Sequence, residues 1–451
     1  MRRQGRGQGQ RQGQGQGQGQ GRSASPHGTP HGGKRQVELT VERIGGRGDG
    51  LATLDGRPVF VPQTVPGDRV RVRVEGERAG GLAAEVLELI EPGPERVEAP
   101  CGLFGRCGGC ALQHLDDTSY ARLKRGQVAT ALSRAGLGDV PVGEVLRTAP
   151  ATRRRATFAA KRAGGRVVLG FNERQSAWIV DVADCLVVAP AILAVLEPLR
   201  AVLDAVLADG PPLDVSVTAL DGGLDVLVTG GAEPGLAARE AWAAFADAAD
   251  LGRLSWRAQE RSPVEPLAHR RPLAARFGAV AVPVPPGVFL QPSAEGEAAL
   301  VAAALAALEG CGHVVDLFAG AGTFTFPLAL ASRVHAVEGD EAAFGALAAA
   351  ARGVPAVSAQ RRDLFRDPLT AAELHRFDGL LFDPPRAGAA AQAAEIAGSR
   401  VPVVVGVSCN PGTFARDART LVDGGYALEA VTPVDQFLWS SHVELVAVFR
   451  K

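Results

Sequence analysis

Apolar and polar positions along the chain fall into blocks of different period. Over residues 35–92 they alternate in short runs cut by Gly and Pro, at Val37-Glu38-Leu39-Thr40-Val41 and again at 57–61, 68–74 and 83–90. A period of two predicts half-buried strands, and so many in so short a stretch predict a small β-barrel. Over 113–136 the period lengthens, and Tyr120, Leu123, Val128, Leu132 and Ala135 predict a helix. Alternation returns over 153–169 about Gly164-Gly165, a hairpin signal, and residues 190–286 add helices at 191–207 and 240–250 with a hairpin at Asp221-Gly222-Gly223. Beyond residue 286 largely apolar strands (313–318, 333–337, 357–360, 377–382, 403–408, 443–449) interleave with Ala-rich helices such as 293–308. Such runs belong to strands covered on both faces, so this part predicts a parallel α/β sheet.

Composition turns this pattern into a domain plan. With 451 residues and 46% hydrophobic side chains, the chain exceeds one ordinary core. The plan is a tail at 1–34, a small barrel at 35–92, a central α+β domain at 93–285 and an α/β domain at 286–451. The tail is a Gln-Gly repeat carrying Arg2, Arg3, Arg6, Arg11 and Arg22; it cannot bury enough apolar surface to order itself, and it reads as a solubilising arm or one that touches RNA phosphates. A net charge of −1 excludes a uniformly basic nucleic-acid binder, so any such surface is local. Two candidates are Arg69, Arg71 and Arg73 on one strand face, and Arg153, Arg154, Arg155, Lys161 and Arg162; each reads equally as an ordinary solvated or charge-guarded strand. The apolar runs are too short to cross a membrane and the N-terminus is not apolar, which implies a cytoplasmic protein with no membrane partner.

Six cysteines then supply candidate chemistry. Cys101, Cys107 and Cys110 lie in a Gly-rich run, Cys-x2-Cys gives two thiolates a common bite, and Cys185 is the natural fourth ligand. Spacing alone admits structural zinc and an iron–sulfur cluster equally, with His114 a weaker ligand. Cys409 ends the apolar run Val403-Val404-Val405-Gly406-Val407-Ser408, where the chemistry of an open α/β sheet is found, although a lone cysteine there also serves as a small apolar filler. Cys311 has no partner in any motif and reads as structural. The first strand of the α/β part ends in Asp316-Leu317-Phe318-Ala319-Gly320-Ala321-Gly322-Thr323, a turn that lets backbone approach a nucleotide; Glu338 ends the next strand, placed for a ribose diol, and Asp363 and Asp383-Pro384-Pro385-Arg386 end the two after that.

The Gly48-Asp49-Gly50-Leu51-Ala52 and Val65-Pro66-Gly67-Asp68 segments make the barrel resemble the oligonucleotide-binding TRAM domain. The Gly turn, Glu338, Asp363 and Asp383-Pro384-Pro385 resemble the class I S-adenosylmethionine methyltransferase fold, a Rossmann-like sheet. With Ser408-Cys409-Asn410-Pro411 and His442-Val443-Glu444 the resemblance narrows to the iron–sulfur RNA uridine-C5 methyltransferases and covers residues 35–451. It implies methyl transfer to C5 of an RNA uridine through a Cys409 adduct at C6, with Glu444 as base and Asp383 orienting the uracil or the cofactor. It further implies that Gln291, Phe318, Gly320, Thr323, Glu338, Asp363 and Asp383 hold S-adenosylmethionine, and that Cys101, Cys107, Cys110 and Cys185 hold a [4Fe-4S] cluster in preference to zinc. Ribosomal RNA is favoured over transfer RNA as partner, with the chain acting as a monomer. The alternative is a non-catalytic RNA-binding protein; adenine-N6, glutamine and cytosine-C5 methyltransferases rank lower, because Arg386 follows the two prolines and because of where Cys409 stands.

Overall fold

The computed structural model describes residues 35–78 and 80–451. The tail expected at 1–34 lies outside the described residues.

The alternating N-terminal block closes on itself. Strands β1 (Gln36–Thr40), β2 (Arg43–Ile44), β3 (Gly50–Leu54), β4 (Arg57–Val61), β5 (Arg69–Arg78) and β6 (Gly81–Glu91) form one sheet ordered β1-β5-β6-β4-β3-β2. Because β1 runs almost directly into β2, the same stretch of chain pairs with β5 at one end and β3 at the other, and Val41, Val59, Val61, Val70 and Val72 fill the interior. The turn before β5 is fixed by Asp68, whose buried carboxylate accepts from the Val65 and Gly93 amides at 2.7 and 2.8 Å and from Arg96. Beside it Gly67 has φ 86°, and a Cβ there would lie 2.8 Å from Pro94, so this turn requires glycine.

Residues 93–285 contribute to several cores. Helix α1 (Asp117–Arg134), capped by the Asp116 carboxylate, and strand β7 (Leu146–Arg147) pack with the C-terminal sheet. A second sheet, ordered β10-β9-β8-β11-β12-β13-β14, takes β8 (Arg155–Ala163), β9 (Arg166–Asn172), β10 (Ile179–Asp181), β11 (Leu213–Leu220), β12 (Gly223–Thr229), β13 (Arg253–Arg257) and β14 (Glu265–His269). Helices α2 (Pro190–Leu193), α3 (Leu196–Val206) and α4 (Leu236–Ala248) lie among these strands in sequence, and the buried faces of α3 and α4 share the sheet's core. A small hairpin, β15 (Ala274–Phe277) and β16 (Val280–Pro283), packs Phe277 and Val282 against the C-terminal domain.

The remaining elements are α5 (Ala294–Ala307), β17 (His313–Leu317), α6 (Thr325–Leu328), β18 (Arg333–Glu338), α7 (Glu341–Ala351), β19 (Val357–Arg361), α8 (Ala371–Leu374), β20 (Gly379–Phe382), α9 (Ala390–Ala397), β21 (Val403–Ser408), α10 (Pro411–Asp423), β22 (Ala427–Asp435) and β23 (Glu444–Arg450). Their sheet runs β19-β18-β17-β20-β21-β23-β22-β7, with the first five strands parallel and β23 antiparallel to β21. The strand order reverses between β17 and β20, where open α/β sheets bind ligands at their carboxyl edge. Among the described residues no helix is long and apolar enough to cross a membrane.

Two expectations about charge are corrected. Arg69, Arg71 and Arg73 do share a face of β5, but glutamates hold each of them: Glu91 and Glu38, Glu88 and Glu38, and Glu75 and Glu85. They form a solvated ion-pair ladder, not a phosphate track. The basic run at 153–162 is not on an edge strand, since β8 lies between β9 and β11, and its four arginines are held by other groups. Arg153 stacks on Phe437 at 5.7 Å, Arg154 pairs with Glu297 at 2.5 Å, Arg155 covers Phe289 at 5.3 Å, and Arg162 binds the Leu207 carbonyl at 2.7 Å.

Helix α1 is pinned to the end of β22 by a buried charge. Lys124 occupies a position on the helix's buried stripe of Tyr120, Val128 and Leu132; its Nζ is 2.9 Å from Asp435 Oδ1 and also donates to the His442 carbonyl. Tyr120 donates to Asp435 Oδ2 at 2.5 Å and accepts from the Trp439 amide at 2.8 Å. The Lys124→Met variant retains bulk but leaves Asp435 buried without its counter-ion, which costs about 3–5 kcal/mol. Urea unfolding followed by tryptophan fluorescence will show that loss; a midpoint equal to wild type contradicts the pin.

Candidate active site

Along the carboxyl edge, strand ends bring the sequence-predicted residues together. After β17 the chain turns sharply: Phe318 has φ 61°, Gly320 58° and Gly322 105°, and a Cβ on Gly322 would stand 2.3 Å from the Phe326 ring. Glu338 ends β18 and clasps this turn, accepting from the Gly320 amide at 2.8 Å and the Asp340 amide at 2.6 Å. Thr323 is half-buried in the same loop. Asp363 follows β19 and accepts from the Phe365 amide at 3.0 Å, which holds the exposed Phe365 ring 5.4 Å from that of Phe318. Beneath them, buried Asp316 accepts from the Thr325 hydroxyl at 2.5 Å, while its other oxygen has no partner. Burial pushes the Asp316 carboxyl up to about 7 against that hydrogen bond.

A second group gathers at the ends of β20, β21 and β23. Antiparallel pairing of Ser408 with Leu445 sets the start of β23 beside the end of β21, so Glu444 stands next to Cys409. Gln436, which the sequence reading missed, connects the site: its amide nitrogen donates to Glu444 at 3.0 Å and to Gln291 at 2.7 Å, and Gln291 in turn donates to Asp383 at 3.4 Å. Two carboxylates and two amides therefore form one polar chain. Burial pushes Glu444 up to about 7, opposed by Gln436 and Arg386. Asp383 is raised well above the usual carboxylate range by burial, and Glu444 and Asp316 add to the shift.

Half-buried Cys409 precedes the N-terminus of α10, where Asn410 caps the helix by accepting from the Gly412 amide at 3.0 Å and Pro411 is the first helical residue. Helix N-termini favour a thiolate. Burial and the nearby Glu444 and Asp383 carboxyls nonetheless push the thiol up to about 11, opposed by Arg386. Arg386 is fixed through its carbonyl, which accepts from Asn410 and Thr413 at 3.0 and 3.1 Å, and its guanidinium lies 3.5 Å from His442 Nδ1. Cys409, Asn410, Arg386 and His442 line a cleft of about 960 Å³. The missed residues Lys124, Tyr120 and Asp435 anchor the 436–443 loop behind this group. A lysine on an otherwise apolar helical stripe was the available signal.

The other four motif cysteines lie apart from this site. Cys101, Cys107, Cys110 and Cys185 are free thiols lining one cavity of about 420 Å³, together with Arg153, Phe289 and Phe437. Burial pushes Cys110 up to about 12, and the three neighbouring thiols add to the shift. His114 is buried behind Phe104, their rings 5.2 Å apart, and does not line that cavity. Among the described residues no three His, Cys, Asp or Glu side chains converge as ligands of one metal ion. The sulfurs come from two separate stretches of chain and line one cavity.

The chain matches the TRAM domain model over residues 34–87 and the model described as tRNA (Uracil-5-)-methyltransferase over residues 354–451. It is 44% identical to an uncharacterized RNA methyltransferase of Mesorhizobium japonicum, over 92% of this chain and 98% of that one. It is 38% identical to the 23S rRNA (uracil(1939)-C(5))-methyltransferase RlmD of Chromohalobacter salexigens, over 92% of this chain and 89% of that one. Its fold is similar to that of the Pyrococcus abyssi tRNA (uracil-54, C5)-methyltransferase crystallised with S-adenosyl-L-homocysteine, at TM-score 0.71 and 22% identity over 92% of this chain and 100% of that one.

Glu444 carries a pH signature in stability. Its folded carboxyl titrates at about 7 against 4.5 when exposed, so between those values the folded state holds a proton that the unfolded state has lost. Stability therefore falls as pH rises from 4.5 to 7, by on the order of 3 kcal/mol from this group. The Glu444→Gln variant will match wild type near pH 4.5 and exceed it in thermal midpoint at pH 8. Parallel curves across this window would refute the buried, protonated carboxyl.

Proposed function

The chain belongs to the TRAM-containing RNA uracil-C5 methyltransferases, and from that premise we propose that Cys409, Glu444 and Asp383 carry out its reaction on ribosomal RNA. The enzyme transfers a methyl group from S-adenosylmethionine to C5 of a uridine in RNA. What carries the assignment of roles is the meeting of Cys409 and Glu444 across the β21–β23 ladder, with Gln436 and Gln291 linking Glu444 to Asp383.

Uracil C5 is a poor nucleophile until electron density is pushed onto it. The Cys409 thiolate adds to C6, and the electron pair released appears at C5. S-adenosylmethionine, when bound, would supply the electrophilic methyl group for that pair, its sulfonium S–CH3 bond breaking to leave S-adenosylhomocysteine. Glu444 then removes the proton from C5, and the C5–H electrons re-form the double bond and expel Cys409 as thiolate. Asp383, whose carboxyl burial raises well above the usual range, orients the uracil or the cofactor. Gln291, Phe318, Gly320, Thr323, Glu338 and Asp363 would hold the cofactor. The unpartnered Asp316 oxygen beneath the Gly turn and the Phe318–Phe365 pair suit a polar, aromatic ligand of that kind.

Ribosomal RNA is favoured over transfer RNA because the likeness to the 23S rRNA enzyme runs through sequence over nearly the whole chain, whereas that to the solved tRNA enzyme is one of fold. We place the activity in the cytoplasm and in a single copy of the chain. For Cys101, Cys107, Cys110 and Cys185 we favour a [4Fe-4S] cluster. Four free thiols around one cavity fit a cluster, which is broader than a zinc ion, and Arg153 beside Cys110 and Cys185 supplies a compensating positive charge.

Anaerobically purified protein mixed with S-adenosylmethionine and 5-fluorouridine-substituted 23S rRNA will give a protein–RNA band that survives denaturation, because fluorine at C5 cannot be removed as a proton. Cys409→Ala will give neither band nor methylation; turnover in that variant would end the mechanism. For wild type, kcat will rise with pH as Glu444 ionises after the adduct has formed. The Glu444→Gln variant will lose that inflection and accumulate the adduct on ordinary RNA. The same anaerobic protein will contain iron and sulfide that Cys107→Ser loses; a colourless, zinc-loaded and fully active preparation would count against the cluster.

A further inference from the structure

Glu444 must be ionised inside an enclosed site at the moment the C5 proton is taken. Its side chain is buried, and among the described residues a single hydrogen-bond donor reaches it, the Gln436 amide at 3.0 Å. The other N–H of the same nitrogen goes to Gln291 Oε1 at 2.7 Å, so both hydrogens of Gln436 Nε2 are engaged. Gln291 turns its own amide nitrogen to Asp383 at 3.4 Å. These contacts fix the sense of both amides: reversing Gln291 would set nitrogen against nitrogen, and reversing Gln436 would set oxygen against oxygen.

Packing alone does not account for an amide at this position. Gln436 is buried and its Oε1 has no hydrogen-bond partner among the described residues. An unpaired buried acceptor is costly, and a methionine of nearly the same shape carries no such group. The side chain is also confined: a Cβ on Gly296, in the first turn of α5, would lie 2.5 Å from Gln436 Cβ and 2.7 Å from its Oε1, so the helix backbone closes that side. The charged and titratable groups around Glu444 are Arg386 and Asp383, which follow β20, and Cys409, which follows β21. Of the groups that oppose the effect of burial on Glu444, Gln436 acts most strongly, ahead of Arg386.

We propose that Gln436 is a positioning residue for removal of the C5 proton: one N–H holds the Glu444 carboxylate ready to receive that proton, and Gln291 keeps the donor from turning away. In that step the C5–H bond breaks, its proton passes to Glu444, and its electron pair forms the C5–C6 double bond as the C6–S bond breaks to release the thiolate. The inference rests on the uracil-C5 methyltransferase reading with Glu444 as base. Gln436 acts through Glu444 and exchanges no proton itself.

The test uses the full chain with in vitro transcribed 23S rRNA and radiolabelled S-adenosylmethionine. Gln436→Met will lower kcat at pH 7 about fivefold and move its rise upward by about one pH unit, because Glu444 ionises less readily without its donor but is no weaker a base once ionised. On ordinary RNA at pH 7 the variant will accumulate a protein–RNA band that survives denaturation and fades as the pH is raised. Without RNA, the loss of thermal midpoint with rising pH will extend to higher pH in Gln436→Met than in wild type, and this difference will vanish when both proteins also carry Glu444→Gln. A kcat lowered equally at every pH, or an unshifted profile with no adduct, overturns the proposal. Failure of wild type to methylate any RNA overturns the functional reading instead, while the midpoint curves of the RNA-free proteins still decide whether Gln436 acts on Glu444.

Discussion

Reversal of the last strand is the constraint from which the active site follows. In an all-parallel sheet the residue after β21 and the first residue of the next strand would lie at opposite edges. Because β23 runs antiparallel to β21, Ser408 pairs with Leu445, and Cys409 and Glu444 share the edge where β17, β18 and β20 also end. That geometry requires the 436–443 loop to return the chain without wandering, and the buried Lys124–Asp435 pair holds it at its root. A helix that precedes the α/β domain in sequence thus becomes part of its active-site scaffold. Gln436, one residue beyond Asp435, sits where it can bridge Glu444 and Gln291 because of that anchor.

Much of the site was legible in the sequence because α/β folds place function at strand ends. A change from apolar run to Gly, Glu, Asp or Cys marks such an end without tertiary information, which is why Phe318, Gly320, Glu338, Asp363, Asp383 and Cys409 could be named and why they lie along one edge. What stayed hidden depends on contacts between distant residues. Lys124 and Asp435 are 311 positions apart, and nothing local distinguishes Lys124 from a surface lysine except its place on the Tyr120–Val128–Leu132 stripe. Residues 117–147 joined the C-terminal sheet for the same reason: helical period announces a buried face but not the surface that covers it.

Charge was the least legible property. The sequence places basic residues on β5 and β8 more densely than anywhere else in the folded region, and those are the ones the fold neutralises. Alternation on a strand sets arginines on one face, but the adjacent strands β1 and β6 place Glu38, Glu85, Glu88 and Glu91 on that face too. Isolated arginines in turns and on the open side of α1 meet no such ladder. Density of charge along a chain is therefore a poor guide to charge available for a ligand, because the pairing that cancels it is set by register between strands.

The same burial that assembles the catalytic groups also limits how they share charge. Glu444 disfavours ionisation of both Asp383 and Cys409, and Asp383 that of Cys409, so negative charges compete along the enclosed edge. In the proposed reaction that restriction orders the steps. Thiolate at Cys409 is favoured while Glu444 is neutral, with Arg386 and the α10 N-terminus as its only favourable partners. Bond formation to C6 carries the charge off sulfur and onto the substrate, and methyl uptake discharges it. Only then does the environment of Glu444 lose its competing anion and permit the carboxylate that removes the C5 proton. Expulsion of the thiolate restores the charge to sulfur as Glu444 becomes protonated, which returns the pair to its starting state with no net change in buried charge.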